Sequence, residues 1–146
     1  MSERVVRPPA ERTAGLARVV EARAATTAED RLRALAGDEV RPVRLWTARN
    51  LGTPPDALDL LTRDPDEIVR WNALLNPRTP APALERLAEE ENRRYGGRWF
   101  LFRDNVVHHP NTPEPLRESL YRAGACAGCS PTCDGWRVYT RQLSWA

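Results

Sequence analysis

Lysine is absent: all 22 basic side chains of this 146-residue chain are arginine. That bias carries no functional weight on its own. Long apolar runs are also missing. None approaches the ~18 residues that span a bilayer, and no apolar run follows Met1-Ser2-Glu3-Arg4 as a secretory signal requires. The expectation is a soluble, cytoplasmic protein with no membrane partner. No phosphate loop, nucleophile elbow or paired-carboxylate site is evident, and no Ser-His-Asp set is supported by spacing. Catalysis by this chain alone is therefore not expected. Cysteine is scarce, with three in the chain, and all three fall within Cys126-Ala127-Gly128-Cys129-Ser130-Pro131-Thr132-Cys133.

What the chain does have is a pattern that returns. Val43-Arg44-Leu45-Trp46-Thr47-Ala48-Arg49-Asn50, followed by Thr53-Pro54, recurs as Val69-Arg70-Trp71-Asn72-Ala73-Leu74-Leu75-Asn76 with Thr79-Pro80. It recurs again as Phe102-Arg103-Asp104-Asn105-Val106-Val107-His108-His109 with Thr112-Pro113. The first two copies are 26 residues apart and the third follows after 33. Periods of this length mark stacked supersecondary units. Thr before Pro predicts an N-cap followed by a helix start, and Asp56 three residues after Thr53 suggests a capping box. Leu58 and Leu61, Leu84 and Leu87, and Leu116 and Leu120 put one apolar stripe on each such helix. Leu32 and Leu35 lie 26 residues earlier, so a degenerate unit begins near Thr27. A second helix carries each Val-Arg pair. It ends at Asn50, Asn76 and His109, a position suited to the left-handed conformation that closes many helices, and Pro77 and Pro110 forbid continuation. His109 reads as a structural residue in that slot.

The Thr-Pro starts, paired leucines and Asp-to-Val-Arg spacing resemble the HEAT-like repeats, and more closely their short bacterial branch, the leucine-rich repeat variant (LRV) proteins. The resemblance covers residues 27–123. It implies an all-α fold, a short right-handed α-solenoid of about three to four helical hairpins, in which an Asp and an Arg six residues later form a ladder between units. Asp38 with Arg44 and Asp64 with Arg70 match that ladder; Arg103 has no matching Asp. Residues 1–26, with Leu16, Val19 and Val20 at helical spacing, read as an N-terminal capping segment. Residues 124–146 form a cysteine-containing tail whose Trp136, Tyr139, Leu143 and Trp145 suit docking on its own domain or on another protein.

Three features bear on function. Arg44, Arg70 and Arg103 recur at one position, either as ladder members or as a guanidinium stripe for acidic partners or phosphates. About seven extra residues precede the third copy; Gly96-Gly97 predicts a loop there, and Arg93, Arg94, Tyr95, Arg98 and Trp99 would make it a recognition loop. The cysteines Cys126, Cys129 and Cys133 have spacing suited to a metal more than to a disulfide in an intracellular protein. Zinc or an iron–sulfur cluster wants a fourth ligand, for which His108, His109, Asp134, a small molecule or another chain are candidates. Some LRV proteins carry an iron–sulfur domain, but their cysteines precede the repeats, whereas these follow them. Trp46 and Trp71 read as core residues or as platforms for base stacking.

The net charge of +2 is unevenly placed. Residues 1–50 carry ten Arg against seven acids, residues 51–91 four against nine, and residues 92–146 eight against four. A nucleic-acid module is usually more basic, and the acidic middle disfavours one. The leading expectation is a non-catalytic protein-interaction module with a metal or iron–sulfur site at its C-terminal end. The alternatives are a HEAT-like binder of duplex DNA using an Arg-lined face, and a redox sensor or electron-transfer subunit.

Overall fold

The computed structural model describes residues 9–95 and 100–126. Every regular element among them is helical: α1 (Pro9–Arg23), α2 (Glu29–Ala36), α3 (Arg41–Arg49), α4 (Pro55–Leu61), α5 (Glu67–Leu75), α6 (Ala81–Tyr95), α7 (Phe100–His108) and α8 (Glu114–Arg122). The chain is all-α over these residues. Helices α1, α3, α5 and α7 pack in succession, each against the next of that row, and α2 packs on α4. Within the recurring segments α2 pairs with α3, α4 with α5 and α6 with α7, while α8 packs on α7.

Short amphipathic helices of this kind are not stable alone, so the packing supplies what propensity does not. The paired leucines enter the core: Leu32, Leu35, Leu58, Leu61, Leu84 and Leu87 are buried, with Leu120, while Leu116 packs at the edge. Each such side chain contributes about 1.5–3 kcal/mol of burial. Val43 and Val69 are buried beside the recurring arginines, as are Ala48, Ala73 and Leu74. Val19 packs on Ala22, Leu35 and Val43, but Leu16 and Val20 remain 66% and 68% exposed.

The threonines do not act as N-caps. The N-cap positions of α4 and α8 are Pro54 and Pro113, and that of α2 is Ala28, none with a side-chain cap. Each hydroxyl instead donates backward, to the carbonyl six residues earlier in the last turn of the preceding helix. Thr27 donates to Glu21, Thr53 to Thr47, Thr79 to Ala73 and Thr112 to Val106. The last turn of a helix has orphan carbonyls, and these hydroxyls satisfy one each. Asp56 forms no capping box with Thr53; its carboxylate accepts from Arg33 Nε at 2.9 Å.

The left-handed helix ends expected at the asparagines are also absent. Asn50 (φ −70°, ψ 122°) and Asn76 (φ −79°, ψ 125°) are extended. Their amides tie neighbouring helix ends together. Asn50 Nδ2 donates to the carbonyls of Ala22 and Ala24, and Asn76 Nδ2 donates to those of Ala48 and Asn50. Their Oδ1 atoms accept from the N–H two residues on, at Gly52 and Arg78. One buried amide thus fixes both a turn and the preceding helix pair.

The helix before the third copy runs through Tyr95. α6 has 15 residues where α4 has 7. The charge pattern explains the extension: Arg93 pairs with Glu89 and Arg94 with Glu91 at helical spacing, and no breaker intervenes before Gly96.

Candidate functional site

The recurring arginines are engaged inside the fold. Arg44 Nε contacts Asp64 Oδ2 at 2.6 Å, and its Nη1 donates to the Asp38 carbonyl at 2.9 Å. Arg70 Nε contacts Glu91 Oε1 at 2.9 Å, and its Nη1 donates to the Asp64 carbonyl at 2.9 Å. Each guanidinium therefore bridges the turn six residues before it and an acid about twenty residues after it. Arg18 on α1 holds the same place, with Nε 2.7 Å from Asp38 Oδ2. The Arg44 guanidinium and Asp64 reinforce one another, so the Arg44 pKa is raised chiefly by that bond. Burial raises the Asp38 pKa, but Arg18 and the Val40 N–H outweigh it and leave the carboxyl below its ordinary value.

Arg103 departs from the series. Its Nη1 donates to the Ala123 carbonyl at 2.9 Å, and its Nε is buried without a hydrogen-bond partner among the described residues. The nearest acid is its neighbour Asp104 at 3.8 Å. Arg103 also lines an open cavity of about 320 Å³ between α6 and α8, with Glu85, Glu89 and Asn92. Arg93 and Arg94 lie on the last turn of α6, where both pair with glutamates. Arg98 and Trp99 fall outside the described residues, as does the Tyr95 side chain. Arg44 and Arg70 sit between helix pairs, and among the described residues Arg70 and Arg94 meet on one atom, Glu91 Oε1.

His109 occupies the asparagine slot. Its Nε2 lies 2.9 Å from the Asn76 carbonyl, and its Nδ1 accepts from the Asn111 N–H at 3.0 Å. That arrangement needs the neutral ring with its proton on Nε2. Burial lowers the His109 pKa to about 4. His108 faces elsewhere, with Nε2 3.0 Å from Cys126 Sγ. Asp104 Oδ1 accepts from the Cys126 N–H at 2.8 Å, and Cys126 has a positive φ of 49°. Burial also lowers the His108 pKa. Cys126 is disulfide-bonded. Cys129, Cys133 and Asp134 fall outside the described residues. Among the described residues no group of three or more metal-ligating side chains assembles.

Trp46 shows a feature that the sequence reading passed over. The Arg23 guanidinium lies 4.3 Å from the Trp46 ring centroid and that of Arg49 lies 4.8 Å from it. The signal was present in the sequence: Arg23 and Arg49 are 26 residues apart, the period of the pattern itself. No described helix is long and apolar enough to cross a membrane. Compared with known protein families, curated proteins and solved structures, the chain finds no match in any of the three.

Proposed function

We propose that this chain is a short right-handed α-solenoid, related to the LRV and HEAT-like repeats, that works as a non-catalytic protein-interaction module in the cytoplasm. The observation that carries this reading is the fate of the recurring polar residues. Thr, Asn or His, and Arg each bond at one register from segment to segment. Residues used in this way hold helix pairs in a row and leave recognition to the faces. The arginines that would line a groove for duplex DNA are matched by Asp64 and Glu91, which favours a protein partner over nucleic acid.

The second part of the reading is a metal or iron–sulfur site made by Cys126, Cys129 and Cys133. His108 suits the fourth position, because its Nε2 already faces the Cys126 sulfur. An imidazole and thiolates are a donor set for zinc or for iron with sulfide. The disulfide at Cys126 removes that sulfur as a ligand, so binding requires reduction. It also fits the redox-sensor alternative, in which an external dithiol reduces the disulfide by two electrons, is itself oxidised to a disulfide, and frees both sulfurs as ligands.

Two measurements test these parts. Tagged full-length protein, recovered from its own cells and run on size exclusion, should elute with a stoichiometric protein partner. Elution with nucleic acid instead would replace the first reading. Anaerobic, reduced protein titrated with Co²⁺ should take up one ion with thiolate charge-transfer absorption. Loss of intensity in Cys126→Ser and a band shift in His108→Ala would support the ligand set. No uptake by the reduced wild type would remove the metal site.

A further inference from the structure

The helix row α1, α3 and α5 presents one face at corresponding positions. The 26-residue register that relates Arg18, Arg44 and Arg70 also relates Leu16, Pro42 and Ile68, and it relates Val20 to Trp46. Leu16 and Val20 on α1, and Pro42 and Trp46 on α3, are four apart and share a side; on α5 the series ends at Ile68, because Asn72 is buried. Leu16, Val20 and Ile68 are 66%, 68% and 48% exposed; Pro42 is exposed and Trp46 half-buried. Since α3 packs between α1 and α5, the side chains form a stripe across three helices. Isolated exposed apolar residues need no explanation, but a stripe at one register does.

The stripe has a charged border. Arg23 follows Val20 by three residues on α1, and Arg49 follows Trp46 by three on α3. Both guanidiniums rest on Trp46. The other described arginine side chains all have an acid in contact: Arg18, Arg31, Arg33 and Arg41 near the start of the chain, for example, and Arg117 and Arg122 at its described end. Arg23 and Arg49 have none among the described residues, and Arg49 Nε is buried without a hydrogen-bond partner. Among the described residues the other arginines are matched by this chain's own carboxylates, and this pair is the one that suits another molecule's.

We propose that this face docks an amphipathic, acidic segment of a partner protein, with apolar side chains on the Leu16–Ile68 stripe and carboxylates against Arg23 and Arg49. This rests on the interaction-module reading and gives it a surface and a class of partner. Apolar anchors beside Trp and Arg are the residue types that dominate protein interfaces. Charge complementarity fixes the occupant's sign. A nucleic acid fits less well: only two guanidiniums border an otherwise apolar stripe, and the Trp46 ring that could stack a base already carries both of them.

The test is selection of peptides from a random 16-residue display library on the immobilised full-length chain. Enriched sequences should combine apolar residues at helical spacing with acidic ones. Bound to wild type in solution, such a peptide should lose about tenfold or more in affinity with Arg23→Glu/Arg49→Glu, a change of roughly 1.4 kcal/mol or greater. Val20→Asp, at an exposed position, should weaken it as well, and Arg23→Gln/Arg49→Gln gives a milder check if the double reversal fails to fold. Arg122→Glu, on α8 and outside the stripe, should leave binding unchanged. Peptides that bind but ignore Arg23, Arg49 and Val20 would overturn this surface and leave the interaction module standing. No enrichment at all would count against both. Single-stranded or duplex DNA bound through Arg23 and Arg49 would overturn the acidic-peptide proposal, as would a self-association abolished by Val20→Asp.

Discussion

The two ends of the helix row solve one problem with different chemistry. From α1 to α5 the cross-links are Arg to Asp and Asn to backbone: Arg18 to Asp38, Arg44 to Asp64, and Asn50 and Asn76 to carbonyls of the preceding helix pair. Beyond α5 each element is substituted. Glu91 accepts where an Asp did, His109 stands where an Asn did, and the Ala123 carbonyl receives Arg103 where a carboxylate would. The bond positions persist while the residues change, so what is specified is a donor or acceptor at a register. The longer α6 shows how. It moves the acid from twenty to twenty-one residues after its arginine, and the longer glutamate side chain covers the difference.

The comparison breaks most sharply at Glu91. Arg70 and Glu91 are nearly inaccessible, with side-chain exposures of 5% and 0%. Removing one partner of a buried pair leaves an uncompensated charge and costs about 3–5 kcal/mol. Glu91→Ala should therefore destabilise the chain by that amount in urea unfolding. Asp64→Ala, whose partner Arg44 keeps 16% of its side chain in solvent, should cost less. Equal losses at the two sites would show that the register, rather than burial, sets the energy.

His109 supplies a difference that pH can read. Its folded pKa of about 4 lies below the ordinary 6.5, so the unfolded chain takes up the proton first. Stability is complete above pH 6.5 and falls as the pH drops toward 4, by about 2 kcal/mol at pH 5. His108 shifts in the same direction, so the wild type alone does not isolate the effect. Comparing unfolding at pH 7 and pH 5 in wild type and in His109→Asn does. The asparagine restores the side chain used at Asn50 and Asn76, and most of the pH dependence should disappear. The carboxyls of Asp38, Asp56 and Asp66 lie below 3.8 and titrate outside this window. A pH dependence unchanged in His109→Asn would place the titrating group elsewhere.

Sequence spacing located the leucines, the helix pairs and the Arg positions, because burial and period act on residue type. It did not locate partners. A Thr before Pro reads as a cap looking forward, yet each hydroxyl turns back to a carbonyl six residues earlier, a choice that depends on the angle between helices. Arg18 lay hidden because Ala17 stands before it in place of Val. Glu91 lay hidden among the acids of α6, where charge spacing reads as a solvated face. Arg23 and Arg49 look like ordinary surface arginines until Trp46 is seen between them. The thiol cluster was legible as a cluster, but the contact of His108 with Cys126 brings the end of α7 to a residue eighteen positions on, which no local spacing contains.

The mildest test is at Arg103, the point where the Arg-to-acid series ends in a carbonyl. A guanidinium that donates to a backbone oxygen, with 20% of its side chain exposed, gives up little when neutralised. A hydrogen bond to a neutral carbonyl contributes about 1 kcal/mol net, so Arg103→Gln should destabilise by about that much while Arg70→Gln costs several times more. The same substitution sharpens the comparison if an acid is supplied. Ala123→Asp places a carboxylate at the twenty-residue spacing found for Arg18 and Arg44. If register is sufficient, Ala123→Asp should stabilise wild type in urea unfolding and have no benefit in Arg103→Gln. A stabilisation that persists without Arg103 would mean that the added acid acts on the end of α8 by some route other than the missing rung.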